Sequence, residues 1–153
     1  MEQAALYKVL HQSFIYNGNN LIWKVSRGLA KAGTIAGTVN SRGYRHIRLY
    51  GKFYQAHRLI WLFTFGEIAD DLVIDHINQN KLDNRLENLR LVTQSVNQLN
   101  NSSSKGYYFC NYHKCWVVSL RLNSKQIKKH CKSEQEANEL AIEIRKQLLQ
   151  LDT

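Results

Sequence analysis

Asp75 and His76 stand side by side near the start of the stretch VIDHINQNKLDNRLENLRLVTQSVNQLN, and Asn88 and Asn97 follow them. Asparagine is a poor former of helix and strand because its short amide competes for the local backbone, so a segment this rich in it is built for loops, caps or ligands. Cutting a phosphodiester needs a base to activate water and a hard cation to stabilise the charged transition state and the leaving oxygen. A histidine such as His76 suits the first task, since its ordinary pKa lies near physiological pH. The carboxylate of Asp75 and the amide oxygen of Asn97 suit the second, because Mg²⁺ takes a few oxygen ligands and keeps positions open for phosphate and water. On spacing alone a competing reading stands: an Asx-turn loop in which His76 bonds to its own backbone.

The elements around these residues must bring them together. VID reads as a strand delivering Asp75 and His76 to a turn, NQNKLDN as a polar loop, RLENLRLV as a second strand-like segment, and Thr93 as the cap of a helix carrying Asn97. Neighbours on a strand point to opposite faces. Asp75 and His76 can still serve one site if His76 ends its strand, where the backbone turns.

Upstream, LIWKV (21–25) is a strand candidate, and two more short strands lie around Gly43 and the Gly51-Lys52 turn. In YRHIRLY, alternation puts Tyr44, His46, Arg48 and Tyr50 on one face and Arg45, Ile47 and Leu49 on the other. Rings interleaved with arginine suit a nucleic-acid surface, with Arg45 and Arg48 as candidate DNA contacts, although a solvated outer sheet face would read the same. AHRLIWLFTF, closed by Gly66, reads as a short buried helix. His57 opens it, and a lone histidine there is more often a packing residue than a ligand.

Downstream, SSSKG (102–106) reads as a linker, YYFCNYHKCWVVSLRLNSKQIKKHC as two or three strands with a turn at Asn123-Ser124, and the end of the chain as a helix. That helix opens on a Ser133/Glu136 capping box and carries an apolar stripe of Ala137, Leu140, Ala141, Ile144 and Leu148.

Charge is unevenly placed along the 153 residues. Residues 1–66 hold nine Lys/Arg against one Glu, residues 67–101 three against six Asp/Glu, and residues 102–153 nine against five. An acidic island between basic flanks can hold a cation against a polyanion, and the net charge of +9 points to nucleic acid as the partner. No segment approaches the roughly 20 apolar residues of a membrane helix, and the start MEQAALYKVLHQSF lacks the continuous apolar block of a signal peptide. With three cysteines and no secretory signal, the expectation is a reducing, cytoplasmic setting.

Asp75-His76, Asn88 in ENLR and Asn97 in the next helix resemble the HNH nuclease motif, the ββα-metal fold of phage and intron homing endonucleases, with the last His replaced by Asn. HRLIW before the motif and IDHINQNKLDNRLENLR through it look like the phage subgroup, and the likeness covers roughly residues 44–101. It implies His76 as general base, Asp75 and Asn97 as holders of Mg²⁺ or Mn²⁺, and Asn88 as the central Asn whose amide ties the loop together. GYYF and KCWVVSLRLNSKQIKKHCKSEQEANELA resemble the three-stranded DNA-binding domain of plant ethylene-response factors, whose sheet enters the major groove. By that analogy Arg121, Lys125, Lys128 and Lys129 are DNA contacts.

The expected fold is therefore α+β: an HNH nuclease domain over residues 1–101 with a small antiparallel N-terminal sheet, then a module of three strands and one helix over residues 102–153. The expected function is metal-dependent cleavage of double-stranded DNA in a phage-infected host, by a monomer or homodimer with no small-molecule or membrane partner. The alternative is a non-catalytic DNA-binding regulator retaining the fold. Cys110, His113, Cys115, His130 and Cys131 do not match paired zinc knuckles, and strand alternation would separate His130 from Cys131, so structural zinc is not expected.

Overall fold

The computed structural model describes residues 3–100, 104–122 and 125–150. The Asn123-Ser124 turn and the first two residues of the SSSKG stretch lie outside the described residues. The architecture is α+β, with four helices and small antiparallel sheets among the described residues. It divides into two compact units, Met1–Leu91 and Val92–Thr153.

The first unit opens with helix α1 (Gln3–Ser13), which the sequence reading had not assigned. Leu6, Leu10 and Ser13 repeat at helical spacing and are buried. The side-chain amide of Gln3 clamps both backbone groups of Ile68, donating to its O at 3.0 Å and accepting from its N at 2.9 Å. Strands β1 (Phe14–Tyr16) and β2 (Leu21–Trp23) form a hairpin, followed by the sheet β3 (Thr38–Val39), β4 (Arg45–Leu49) and β5 (Lys52–Gln55). The β4–β5 turn places Tyr50 at φ 49° and Gly51 at φ 81°, the paired positive angles that a two-residue hairpin turn demands. Gly37, at φ 80°, lies against β4 so closely that a Cβ there would collide with the His46 carbonyl.

Helix α2 (Ala56–Phe65) ends as its sequence implied, with Gly66 at φ 87° and its N–H on the Leu62 carbonyl at 3.1 Å. Its apolar residues join Phe14, Leu21, Trp23, Ile47 and Leu49 in one core. Strand β6 (Leu72–His76) pairs with β7 (Leu89–Thr93), and helix α3 (Gln94–Asn100) follows. The second strand is shorter than RLENLRLV suggested: Leu86–Asn88 form a 3₁₀ turn, because Asn88 is drawn in to bond the preceding loop.

In the second unit β8 (Tyr107–Cys110), β9 (Cys115–Leu122) and β10 (Lys125–Cys131) form an antiparallel sheet in the order β10-β9-β8. Helix α4 (Glu134–Gln150) packs on it through Ala137, Ala141 and Ile144. Ser133 Oγ accepts from Glu136 N at 3.1 Å, while the reciprocal arm, Glu136 Oε2, reaches the N–H of Lys132 at 2.7 Å, one residue beyond the usual capping box. Leu99 of α3 belongs to this second core, beside Val118 and Leu120. The second compact unit begins at Val92 and so includes α3, which buries its apolar side against β9 and α4.

Candidate active site and nucleic-acid surface

His76 is the last residue of β6, and the turn begins at once, with Gln79 N on the His76 carbonyl at 2.9 Å. Asp75 and His76 are both buried. Their side chains part as strand alternation requires. Asp75 Oδ2 accepts from Arg90 Nε at 3.0 Å and Nη2 at 2.9 Å, across the β6–β7 pair. His76 instead meets Asn84, His57 and Tyr44.

The amide oxygen of Asn84 lies 3.0 Å from His76 Nε2. An amide oxygen only accepts, so this contact is a hydrogen bond in the His76 tautomer that carries its proton on Nε2. Asn84 is 1% exposed and is itself held at its backbone: its N–H donates to Asn19 Oδ1 at 2.6 Å, and its carbonyl accepts from Tyr16 Oη at 3.1 Å. The β1–β2 hairpin thus fixes Asn84, and Asn84 fixes His76. The Asn84 Nδ2 atom is buried and makes no hydrogen bond to a described residue.

His57, at the start of α2, presents its ring edge-on to His76, with centroids 4.9 Å apart. Burial, with a smaller repulsion from His76, pushes its pKa down to about 3, so it sits in the site as a neutral imidazole. Tyr44 packs on both rings, at 5.5 Å from His57 and 6.2 Å from His76.

The loop between the strands is held by asparagine amides. Asn88 Oδ1 accepts from Asn78 N at 2.9 Å and its Nδ2 donates to the Asp83 carbonyl at 2.7 Å, spanning the loop from both ends. Asn78 and Asn80 each close an Asx turn, onto the N–H of Asn80 and of Leu82. Asp83 takes both Nε and Nη2 of Arg85 at 2.8 Å, which holds its carboxyl well below the usual range. Lys81, at the loop tip, donates to the Arg42 carbonyl at 3.1 Å and lies over the Tyr44 ring.

Asn97 lies on α3 in the second unit, half-buried. As a hard oxygen donor, the Asp75 carboxylate suits Mg²⁺ or Mn²⁺ better than a soft metal. Asn84, His57, Tyr44 and Arg90 were not assigned to the site from sequence. The Asn of LDNR, eight residues past His76, and the His of HRLIW were the available signals; nothing local marks Arg90.

The candidate DNA contacts divide by face. Arg45 lies on the side of β4 that carries the buried Ile47 and Leu49, and donates from Nη1 to the Gly37 carbonyl at 2.9 Å. Arg48 is on the exposed side, over the Phe53 ring. In the second unit, Lys128 pairs with Ser119 and Gln126 with Arg121, so Arg121 and Lys128 share the sheet face opposite α4. Lys125 and Lys129 alternate onto the face of Ile127 and Cys131, which α4 covers.

The family described as HNH endonuclease matches residues 54–99, which run from the end of β5 into α3. An uncharacterized HNH endonuclease, L560, of Acanthamoeba polyphaga mimivirus is 47% identical over 51 residues, 33% of this chain and 27% of its own. The DNA endonuclease I-HmuI of Bacillus phage SP01 is 36% identical over 98 residues, 61% of this chain and 55% of its own. The chain thus spans about half or less of the length of these curated relatives. A solved structure of DNA binding and cleavage by I-HmuI overlays 84% of this chain and 76% of its own, at 23% identity and a TM-score of 0.47, a likeness too loose to assign any residue. None of these matches names an ethylene-response-factor domain. Among the described residues no helix is long and apolar enough to cross a membrane.

Proposed function

We propose that the chain is a DNA endonuclease of the HNH type that hydrolyses phosphodiesters with His76 as general base. The observation that carries this reading is the placement of His76: buried at the end of β6, with Nε2 fixed to Asn84 Oδ1 at 3.0 Å within the segment that matches the family. A base so held is oriented before the reaction begins and spends no orientation entropy during it. Neutral His57 beside it adds no charge that would oppose the imidazolium formed when His76 takes the proton from water. A divalent cation, Mg²⁺ or Mn²⁺, held by oxygens of Asp75 and, by the motif, Asn97, would supply charge stabilisation at the leaving oxygen. Arg90 holds the Asp75 carboxylate in a single orientation.

Double-stranded DNA is the proposed substrate, held by Arg48 on the N-terminal sheet and by Arg121 and Lys128 on the open face of the C-terminal sheet. Arg45, Lys125 and Lys129 are weaker candidates, since the first is bonded internally and the other two alternate onto the helix-covered face. The likeness to ethylene-response-factor domains belongs to this proposal and rests on the three strands, Trp116 and the covering helix.

Incubation of supercoiled plasmid with the protein and Mg²⁺ or Mn²⁺, with EDTA as control, tests it. Metal-dependent relaxed circles mean nicking and linear product means double-strand cleavage. DNA binding without cleavage of any substrate would replace the enzyme by a non-catalytic regulator.

A further inference from the structure

The second unit gathers thiols and imidazoles at one end of its sheet, and the strand register decides which of them can meet. Cys110 and Cys115 are directly opposed across the β8–β9 hairpin, so their side chains leave the same face. His130 pairs with Val117, two residues along β9 from Cys115, and shares that face. Cys115 Sγ lies 3.3 Å from His130 Nδ1. The four-residue turn between the cysteines carries His113, whose ring stands 5.8 Å from that of His130. Cys131 pairs with Trp116, faces α4 and is buried in the core. Alternation thus separates His130 from Cys131, as the sequence suggested, and in doing so leaves His130 on the cysteine face.

We propose that Cys110, His113, Cys115 and His130 form a binding site for a borderline-soft divalent cation, Zn²⁺ in particular. Two thiolates and two imidazoles are a common tetrahedral zinc set. With a metal–sulfur length of about 2.3 Å and a metal–nitrogen length of about 2.05 Å, tetrahedral ligands stand about 3.5 Å apart; the Cys115–His130 contact is already within about 0.2 Å of that. Among the described residues no three such side chains surround a common point yet, so binding turns Cys110 and His113 toward this pair. Both flank or belong to the exposed turn 111–114, where side-chain rotation meets little packing. On binding, the two thiols give up their protons to solvent and two sulfur–metal and two nitrogen–metal bonds form. The ligands come from β8, its turn, β9 and β10, so the cation would fasten all three strands at the end of the sheet away from Arg121.

The test uses the full-length chain, reduced and stripped with EDTA, titrated with Zn²⁺ and separately with Co²⁺. One Zn²⁺ bound per chain with a raised unfolding temperature, and a thiolate-to-cobalt charge-transfer band with Co²⁺, are expected. That band separates this site from an oxygen-ligated cation at Asp75, which cannot produce it. Cys115→Ser or His130→Ala should weaken Zn²⁺ binding by more than the about 10–100-fold that loss of an outer-shell partner costs, and Cys131→Ser should bind as the parent does. A wild-type chain without the charge-transfer band overturns the proposal, whatever the variants do. So does a band that survives Cys115→Ser, or an intact mass showing Cys110 and Cys115 joined as a disulfide under reducing conditions.

Discussion

The ring of His57 meets that of His76 edge to face, 77° between planes and 4.9 Å between centroids, and His57 is held there without charge. Its folded-state pKa of about 3 lies below the ordinary 6.5, so between those values the unfolded chain binds a proton that the folded chain refuses. Stability from this residue is present in full above pH 6.5 and drains away as pH falls toward 3. The urea midpoint should therefore fall from pH 7 to pH 5, and fall less in His57→Gln. Equal slopes in the two proteins would show that the buried imidazole does not govern acid sensitivity.

His76→Ala should reduce cleavage by about 10²–10⁴-fold, the usual value of a general base, with DNA affinity nearly unchanged. Asn84→Ala should lower the cleavage rate by a smaller factor, because the imidazole loses the bond that orients it but not its nitrogen. Single-turnover cleavage beside gel-shift titration separates the two; a loss of binding matching the loss of cleavage would refute the assignment.

Asn88→Ala removes both bonds that span the loop and should cost about 1–3 kcal/mol, the range for leaving buried partners unsatisfied. The local signature is faster hydrogen exchange at the Asn78 amide, whose acceptor is gone. Unchanged exchange there would mean that the Asx turns alone hold the loop.

These residues show how far the sequence could be read. The asparagine-rich segment was legible as one built for loops, caps or ligands, and Asn78, Asn80 and Asn88 do shape the loop there. Helices α2 and α4 were legible from apolar periodicity and end signals. Asn84 and Arg90 escaped because their roles depend on partners chosen by the tertiary fold: Asn84 is anchored by Tyr16 and Asn19, far upstream. Helix α1 carries no glycine stop, since Ser13 runs directly into Phe14 of β1. Lys125 and Lys129 were grouped with Arg121 and Lys128 by the likeness to ethylene-response-factor domains, and the register of β10 on β9 separates them.

That register carries its own prediction. If about six phosphates are neutralised, affinity should fall about 10³-fold between about 50 and 200 mM salt. Lys128→Ala should reduce the slope of log affinity against log salt by about 0.9, whereas Lys129→Ala should leave it unaltered. A flat response for the parent protein would dissociate the basic surface from DNA.

Terminating the chain after residue 101 removes β9 and α4, the cover of Leu99. A seven-residue helix has too few internal bonds to persist alone. The truncated chain should keep the Met1–Leu91 core but lose α3, which amide exchange across residues 94–100 would report. Protected amides there would show that α3 stands without the C-terminal sheet.

The packing of α3 also bears on how such chains can diversify. A crossover placed in the serine-rich stretch, where composition suggests a seam, would hand the helix bearing Asn97 to a foreign sheet that has never packed against Leu99. Exchange of the C-terminal sheet is easier if the donor brings its own copy of this helix, with the breakpoint inside β7. The compact unit that holds the C-terminal sheet therefore begins at Val92, inside the segment that the HNH endonuclease family matches.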